Sequence, residues 1–206
     1  VAGDTSGTLT AKGRQTRAAI EVAARKLFAE RGFHGTTLAD ITSAAGKSSA
    51  VFYRYFDDKE DLLASLAGSF LHDVVAPSGL SVPLPDSPAD SEYFTTVVTG
   101  YWNLFKQNIG IMIAVAQLGA TQPRFAEVQN EFRRFGIDIV AASIRRAQDQ
   151  GFARDLNVEH TATAIALLFE NFTAVMAGGP GLGTPISDAD AVTTLTTIWK
   201  KTLYGR

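Results

Sequence analysis

Apolar residues recur along this chain at the three- and four-residue steps of an α-helix, and no stretch of any length alternates as a strand would. The first stripe is Ile20, Ala23, Ala24, Leu27 and Phe28, which predicts a helix over 12–31 that Gly32 stops. Leu38, Ile41 and Ala45 share a shorter face behind the capping-box pair Thr37 and Asp40. Gly46 supplies the sharp stop after it, and Ser48 caps a helix over 49–55. Phe52 and Phe56, four residues apart, turn to one side there. Asp57 with Glu60 reads as a second capping box, opening a helix over 58–75 with Leu62, Leu63, Leu66 and Phe70 on its apolar side.

The stretch 76–85, with three prolines and a glycine, reads as a loop. Ser87-Pro88-Ala89-Asp90 reads as the start of a fifth helix through Tyr93, Phe94, Val97, Val98, Tyr101, Trp102 and Phe105. Gly110 interrupts it, and a short apolar helix over 111–119 follows. Pro123 opens a long helix to about Gln150, on which Phe125, Val128, Phe132, Phe135 and Ile139 mark the buried face in steps of 3, 4, 3 and 4. Asn157 caps an eighth helix carrying Ile165, Leu168, Phe169, Phe172 and Val175. A glycine-rich connector over 178–185 leads to Ser187 and Asp190, which cap a last helix carrying Val192, Leu195, Ile198, Trp199 and Leu203. The fold class expected is therefore all-α, with about nine helices.

Two helices around a short glycine turn form a helix-turn-helix, whose second helix enters the DNA major groove. The run Phe52-Tyr53-Arg54-Tyr55-Phe56-Asp57-Asp58-Lys59-Glu60-Asp61-Leu62-Leu63, with the turn and the helix before it, resembles the TetR family of transcriptional regulators. The family pattern is an aromatic-rich recognition helix, then Phe, two polar residues, Lys-Glu and a Leu pair. The resemblance spans roughly 14–63, about a quarter of the 206 residues. The first ten residues, small and polar, read as a flexible arm over 1–10; the resemblance implies a three-helix DNA-binding head over 11–57 and a helical ligand-binding and dimerisation body over 58–206. It further implies a homodimeric repressor of double-stranded operator DNA, released from a near-palindromic site by a small molecule.

Charge changes the picture only when divided. The whole chain has a net charge of −2, yet residues 1–56 hold eight Lys/Arg against four Asp/Glu, a net of +4. A basic end on an acidic body is what a phosphate-facing head requires, although a solvated helix surface would look the same. Within that end, Tyr53, Arg54 and Tyr55 are left on faces that Phe52 and Phe56 do not use. A tyrosine hydroxyl reaches phosphate, and arginine reaches phosphate or guanine edges. The resemblance adds that the family's matching tyrosine binds phosphate. Ser48, Ser49 and Ala50 begin the recognition helix, where base edges are met. Thr36 and Thr37 are cap candidates whose helix end attracts phosphate. Lys59 corresponds to a family residue that contacts the backbone, with an ion pair to Asp57 or Asp58 as its plainer reading. Lys47 departs from the family pattern, which is apolar after the turn glycine, and can snorkel to phosphate.

Enzymatic chemistry finds no foothold. The chain has no cysteine, and His34, His72 and His160 are isolated, with no metal-ligand spacing. The sequence GGPGLG at 178–183 is not a phosphate-binding loop. No catalytic residue, metal or cofactor is expected. No apolar run is long enough to cross a membrane, and the first residues lack a signal-peptide pattern, so a cytoplasmic protein is expected. The competing reading is an all-helical enzyme or carrier whose helix-turn-helix-like head does not bind DNA.

In the body, Phe70, Tyr101, Trp102, Phe105, Phe132, Phe135 and Phe169 are expected to line a pocket for an apolar effector. Aromatic stripes are more often core, but Gln129, Glu170 and neighbouring amides add the few polar groups a pocket needs. A lining without Lys or Arg argues against a buried anion. A dimer interface is expected on the last two helices, at Ile165, Phe172, Leu195 and Trp199.

Overall fold

The computed structural model describes residues 10–75, 83–178, 183 and 185–205, and the expectations for the arm over 1–9 and for most of the connectors over 76–82 and 179–184 lie outside the described residues. Among the described residues there are nine α-helices and no strand: α1 Ala11–Arg31, α2 Leu38–Ala44, α3 Ser49–Phe52, α4 Lys59–Val75, α5 Glu92–Gln107, α6 Ile109–Gly119, α7 Pro123–Asp149, α8 Val158–Ala177 and α9 Asp188–Tyr204.

Capping sets most of the boundaries. Thr37 accepts from the Asp40 amide at 3.1 Å, and Asp40 accepts from the Thr37 amide at 2.9 Å, closing the expected capping box of α2. The Thr37 hydroxyl and amide, both donating to the Asp40 carboxylate, hold that carboxyl below the usual carboxylate range. Gly46, at φ +63°, ends α2 in the left-handed backbone that glycine adopts freely. Asn157 and Ser187 cap α8 and α9 as their positions suggested.

Several boundaries differ from the sequence pattern. Helix α3 stops at Phe52, and Tyr53–Tyr55 form a turn. The cap of α4 falls one residue later than Asp57: Asp58 accepts from the Asp61 amide at 2.7 Å, while the Asp61 carboxylate accepts from the Asp57 amide at 3.1 Å. Ser87–Asp90 is a turn, and α5 begins only at Glu92, whose amide is bound by Asp90 at 3.1 Å.

The break after α5 comes at Asn108, and Gly110 lies inside α6. Its purpose is proximity. A Cβ at Gly110 would sit 2.5 Å from the Phe28 carbonyl carbon and 2.5 Å from the Ala29 nitrogen, so the α6 backbone rests directly on α1. Around this contact a first core gathers Ile20, Phe28, Phe52, Leu62 and Leu66 with Ile111, Val115 and Phe125 from α6 and α7. A second core, between α5, α7, α8 and α9, is centred on Phe94, Trp102, Ile144, Leu195 and Trp199. The Trp199 indole donates to Ser143 Oγ at 3.1 Å, so its one polar atom is satisfied inside.

Gly110→Ala should therefore destabilise the protein by about 1–3 kcal/mol, since two backbones must separate to admit the methyl group. Urea unfolding measures this, and a loss below about 0.5 kcal/mol, the range of ordinary surface substitutions, would show that the contact is not tight.

Candidate DNA-reading head and effector cavity

The head presents a small set of side chains outward. Ser48, Ser49, Ala50, Tyr53 and Arg54 are exposed, Tyr53 at 59%. Among the described residues neither Arg54 nor Lys47 has an acidic side chain within ion-pair distance. Tyr55 is half-buried against the first core, and Lys47 is half-buried beside the turn. Thr37 and Ser48 stay at the surface while serving as caps.

Two expected contact residues face inward instead. Thr36 is 1% exposed, and its hydroxyl donates to the carbonyl of Gly32 at 2.8 Å and of Leu27 at 3.3 Å. The Lys59 ammonium donates to the carbonyl oxygens of Phe33 at 2.7 Å and Thr36 at 2.8 Å, and lies 4.2 Å from the centre of the Phe33 ring. Burial pulls its pKa below the ordinary lysine value. It clamps the α1–α2 connector to the start of α4, in neither the phosphate-facing nor the carboxylate-paired role. The two connector carbonyls explain the choice, because a cation with several donors serves both at once.

Other basic residues of the head also bind the protein itself. Arg17 donates to Glu21 at 2.9 Å and to Ser65 of α4 at 2.8 Å. Arg25 donates to Asn108 Oδ1 at 2.8 Å, and Asn108 in turn donates to the Leu104 carbonyl at 3.0 Å. Part of the positive charge at the N-terminal end thus fastens head to body.

The body encloses a cavity of about 390 Å³, lined by α4, α5, α6, α7, α8 and α9. Six of the seven expected lining residues are there: Phe70, Tyr101, Phe105, Phe132, Phe135 and Phe169. Trp102 is the exception. It is 2% exposed, and its indole donates to Asp188 Oδ1 at 3.0 Å, beside Lys106, which holds the same carboxylate at 2.8 Å. The two bonds keep the Asp188 carboxyl below its ordinary pKa and pin α5 to the start of α9.

The expectation of a lining free of Lys and Arg is corrected. Arg133 lines the cavity and grips Glu170 with two parallel bonds, Nε to Oε2 and Nη2 to Oε1, both 2.8 Å, while Gln129 donates to Oε1 at 2.9 Å. The fork geometry raises the Arg133 pKa and leaves the pair neutral as a unit. Sequence reading missed Arg133 because it followed the aromatic steps of α7. The cavity face of α7 is a wider band that keeps Phe132, Phe135 and Ile139 of that stripe and adds Gln129, Arg133, Gly136 and Val140 beside them.

Three of the four expected dimer residues are corrected as well. Ile165, Leu195 and Trp199 are 5%, 0% and 1% exposed, and Phe172 is half-buried against the same core. The large apolar side chains that α8 and α9 do expose are Leu167, Leu168 and Ile198. No helix of the described residues is long and apolar enough to cross a membrane.

Comparison with known proteins agrees with this layout. Residues 20–66 match a family model described as bacterial regulatory proteins, tetR family, and residues 94–205 match the C-terminal domain of transcriptional regulator EthR. The HTH-type transcriptional regulator EthR of Mycobacterium tuberculosis is 30% identical over 204 residues, covering 96% of this chain and 91% of the relative. The HTH-type transcriptional repressor KstR2 of Rhodococcus jostii is 34% identical over 170 residues, covering 77% of this chain and 76% of the relative. The crystal structure of a transcriptional regulator from Saccharomonospora viridis in complex with choline superposes with a TM-score of 0.71 at 23% identity, covering 94% of this chain and all of the other.

Lys59→Met should lower stability by about 1–3 kcal/mol, because two carbonyls lose a charged donor. Chemical denaturation gives the number. An unchanged midpoint, together with a flatter salt dependence of DNA binding, would return Lys59 to the phosphate-facing role.

Proposed function

The chain belongs to the TetR family of bacterial regulatory proteins and is a DNA-binding transcriptional repressor rather than an enzyme; on that premise we propose that a homodimer holds a near-palindromic operator and that a small neutral, largely apolar ligand in the body cavity releases it. The observation that carries this reading is a pairing: an outward helix-turn-helix whose Arg54 and Lys47 have no acidic partner among the described residues, above a cavity whose lining reaches α4. A regulator of this kind works on DNA in the cytoplasm.

The DNA face consists of Thr37, Lys47, Ser48, Ser49, Ala50, Tyr53, Arg54 and Tyr55. Thr36 and Lys59 support it from behind. Phosphate contacts fix register, and base contacts carry sequence preference. Arg54 is the best candidate for a base edge, and Tyr53 and Lys47 for phosphate.

Coupling has a physical route. Leu104 and Phe105 line the cavity, and the Leu104 carbonyl is held by Asn108, which also receives Arg25 of α1. Phe70 brings α4 to the same cavity. A ligand that moves the end of α5 therefore acts on two supports of the head. It shifts the equilibrium only by its unequal affinity for the two conformers, about 5.5 kcal/mol for a complete switch.

Operator binding tests the head. Arg54→Ala should cost about 1–3 kcal/mol and relax preference at one position per half-site. Tyr53→Phe and Lys47→Ala should weaken binding evenly across sequences, and Lys47→Ala should reduce the salt slope by about one. Wild-type affinity in all three variants would refute this assignment.

The two-fold interface is proposed at Leu167, Leu168 and Ile198, exposed at 41%, 39% and 36%. One head reads too little DNA alone, and a two-fold dimer matches a palindrome. Leu168→Glu with Ile198→Glu should give a folded monomer in sedimentation, whereas Trp199→Glu should unfold the body. A double variant that still sediments as a dimer would move the interface elsewhere.

A further inference from the structure

Two hollows meet at one side chain. Phe135 lines the body cavity, and it also lines a recess on the surface between α4 and α7, with Gly68, Leu71 and His72 of α4 and Arg134 and Asp138 of α7. Among the described residues no other side chain belongs to both linings. Helical geometry places it there. Glu131, Arg134 and Asp138 share the face of α7 that borders the recess, and Phe132, Gly136 and Ile139 share the neighbouring face that borders the cavity. Phe135 falls on the edge between those faces.

The ring is also the least restrained aromatic group of the cavity wall. Phe70 meets Phe132 with ring centres 4.8 Å apart, and Tyr101 meets Phe105 at 4.6 Å and Phe169 at 5.7 Å. Among the described residues Phe135 makes no ring contact of this kind. On the recess side, Gly68 is exposed and has no side chain. Beyond the local helix backbone, a Cβ there would meet no atom within 4 Å. A change of rotamer that carries the Phe135 ring toward Gly68 therefore enters open space.

We propose that Phe135 is the door of the effector cavity, and that ligands enter and leave between α4 and α7 through the recess it shares with Gly68. The proposal rests on the effector-cavity reading above and names the entrance to that cavity. With the ring as it stands, the cavity and the recess are separate. With the ring turned, they join. Such a door sets rates rather than affinity, because entry and exit cross the same barrier.

Stopped-flow mixing with N-phenyl-1-naphthylamine tests this. The probe is neutral, its fluorescence rises in apolar surroundings, and the traces give both rate constants. Gly68→Leu fills the recess without altering the cavity lining. It should slow association and dissociation about tenfold each and leave Kd within about twofold. Gly68→Ala controls for the loss of glycine; it should melt no lower than the wild type, since alanine favours the helix, and bind at the wild-type rate. Phe135→Ala should speed association about tenfold. Loss of a lining contact alone would speed only dissociation, so the association rate separates a door from a wall. Gly136→Leu puts a side chain into the cavity, where a Cβ meets only Ala166 Cβ at 3.9 Å, and should abolish probe binding in a folded protein. Wild-type association in either Gly68→Leu or Phe135→Ala overturns the inference and leaves the effector cavity standing. Probe fluorescence that fails to rise with the wild type, or that survives Gly136→Leu, overturns the cavity reading and this inference together.

Discussion

The structure depends on the direct seating of α6 on α1 at Gly110. The head of this protein has no closed core without it: Phe28, Phe52 and Leu66 are covered by Ile111, Val115 and Leu118 of α6 and by Phe125 of α7. A three-helix head of this size buries too little apolar surface to be secure alone. Borrowing its floor from the body solves that problem and creates another property, because any movement of α6 is felt by α1. The backbone contact leaves no slack for a side chain to absorb the movement.

Polar clamps surround that contact. Arg25 reaches Asn108 at the α5–α6 break, Arg17 reaches Ser65 of α4, and Glu60 at the start of α4 accepts from Gln122 at 3.1 Å and Arg124 at 2.8 Å at the start of α7. Each is partly exposed and individually modest in energy. Together they fix how the head sits. They also narrow the DNA face, since Arg17, Arg25 and Lys59 have their donors turned toward the protein. Specificity is then left to a few side chains on and after α3.

The body separates two uses of large apolar residues. Trp102 and Trp199 close the second core with their indole N–H groups satisfied by Asp188 and Ser143. Phe132 and Phe135 of α7 stay half-buried because they face empty volume rather than a packed neighbour. A fully packed interior would have no room for an effector, and a fully open one would not hold its shape. The Arg133–Glu170 fork lets charge stand in the cavity wall without an unpaired ion.

The sequence by itself determined the helical class, nearly every helix and its caps, and the location of the helix-turn-helix. Those features follow from local rules: apolar spacing fixes period, and Thr37, Asn157 and Ser187 mark starts through bonds to amides three residues on. It also determined which aromatic residues gather in the body, including six of the seven placed around the cavity. Tertiary structure decided what local spacing cannot express. A helix stripe does not say whether the neighbour is core, cavity or solvent, so Trp102 was assigned to the cavity and Ile165, Leu195 and Trp199 to a dimer surface, and all four belong to the second core. Charge along a chain does not say where a donor ends up, so Lys59 was placed toward phosphate and sits on two carbonyls. Gly110 looked like a helix breaker because glycine lowers helix propensity, yet α6 runs through it, since only the packed fold reveals the second backbone lying where its side chain would be.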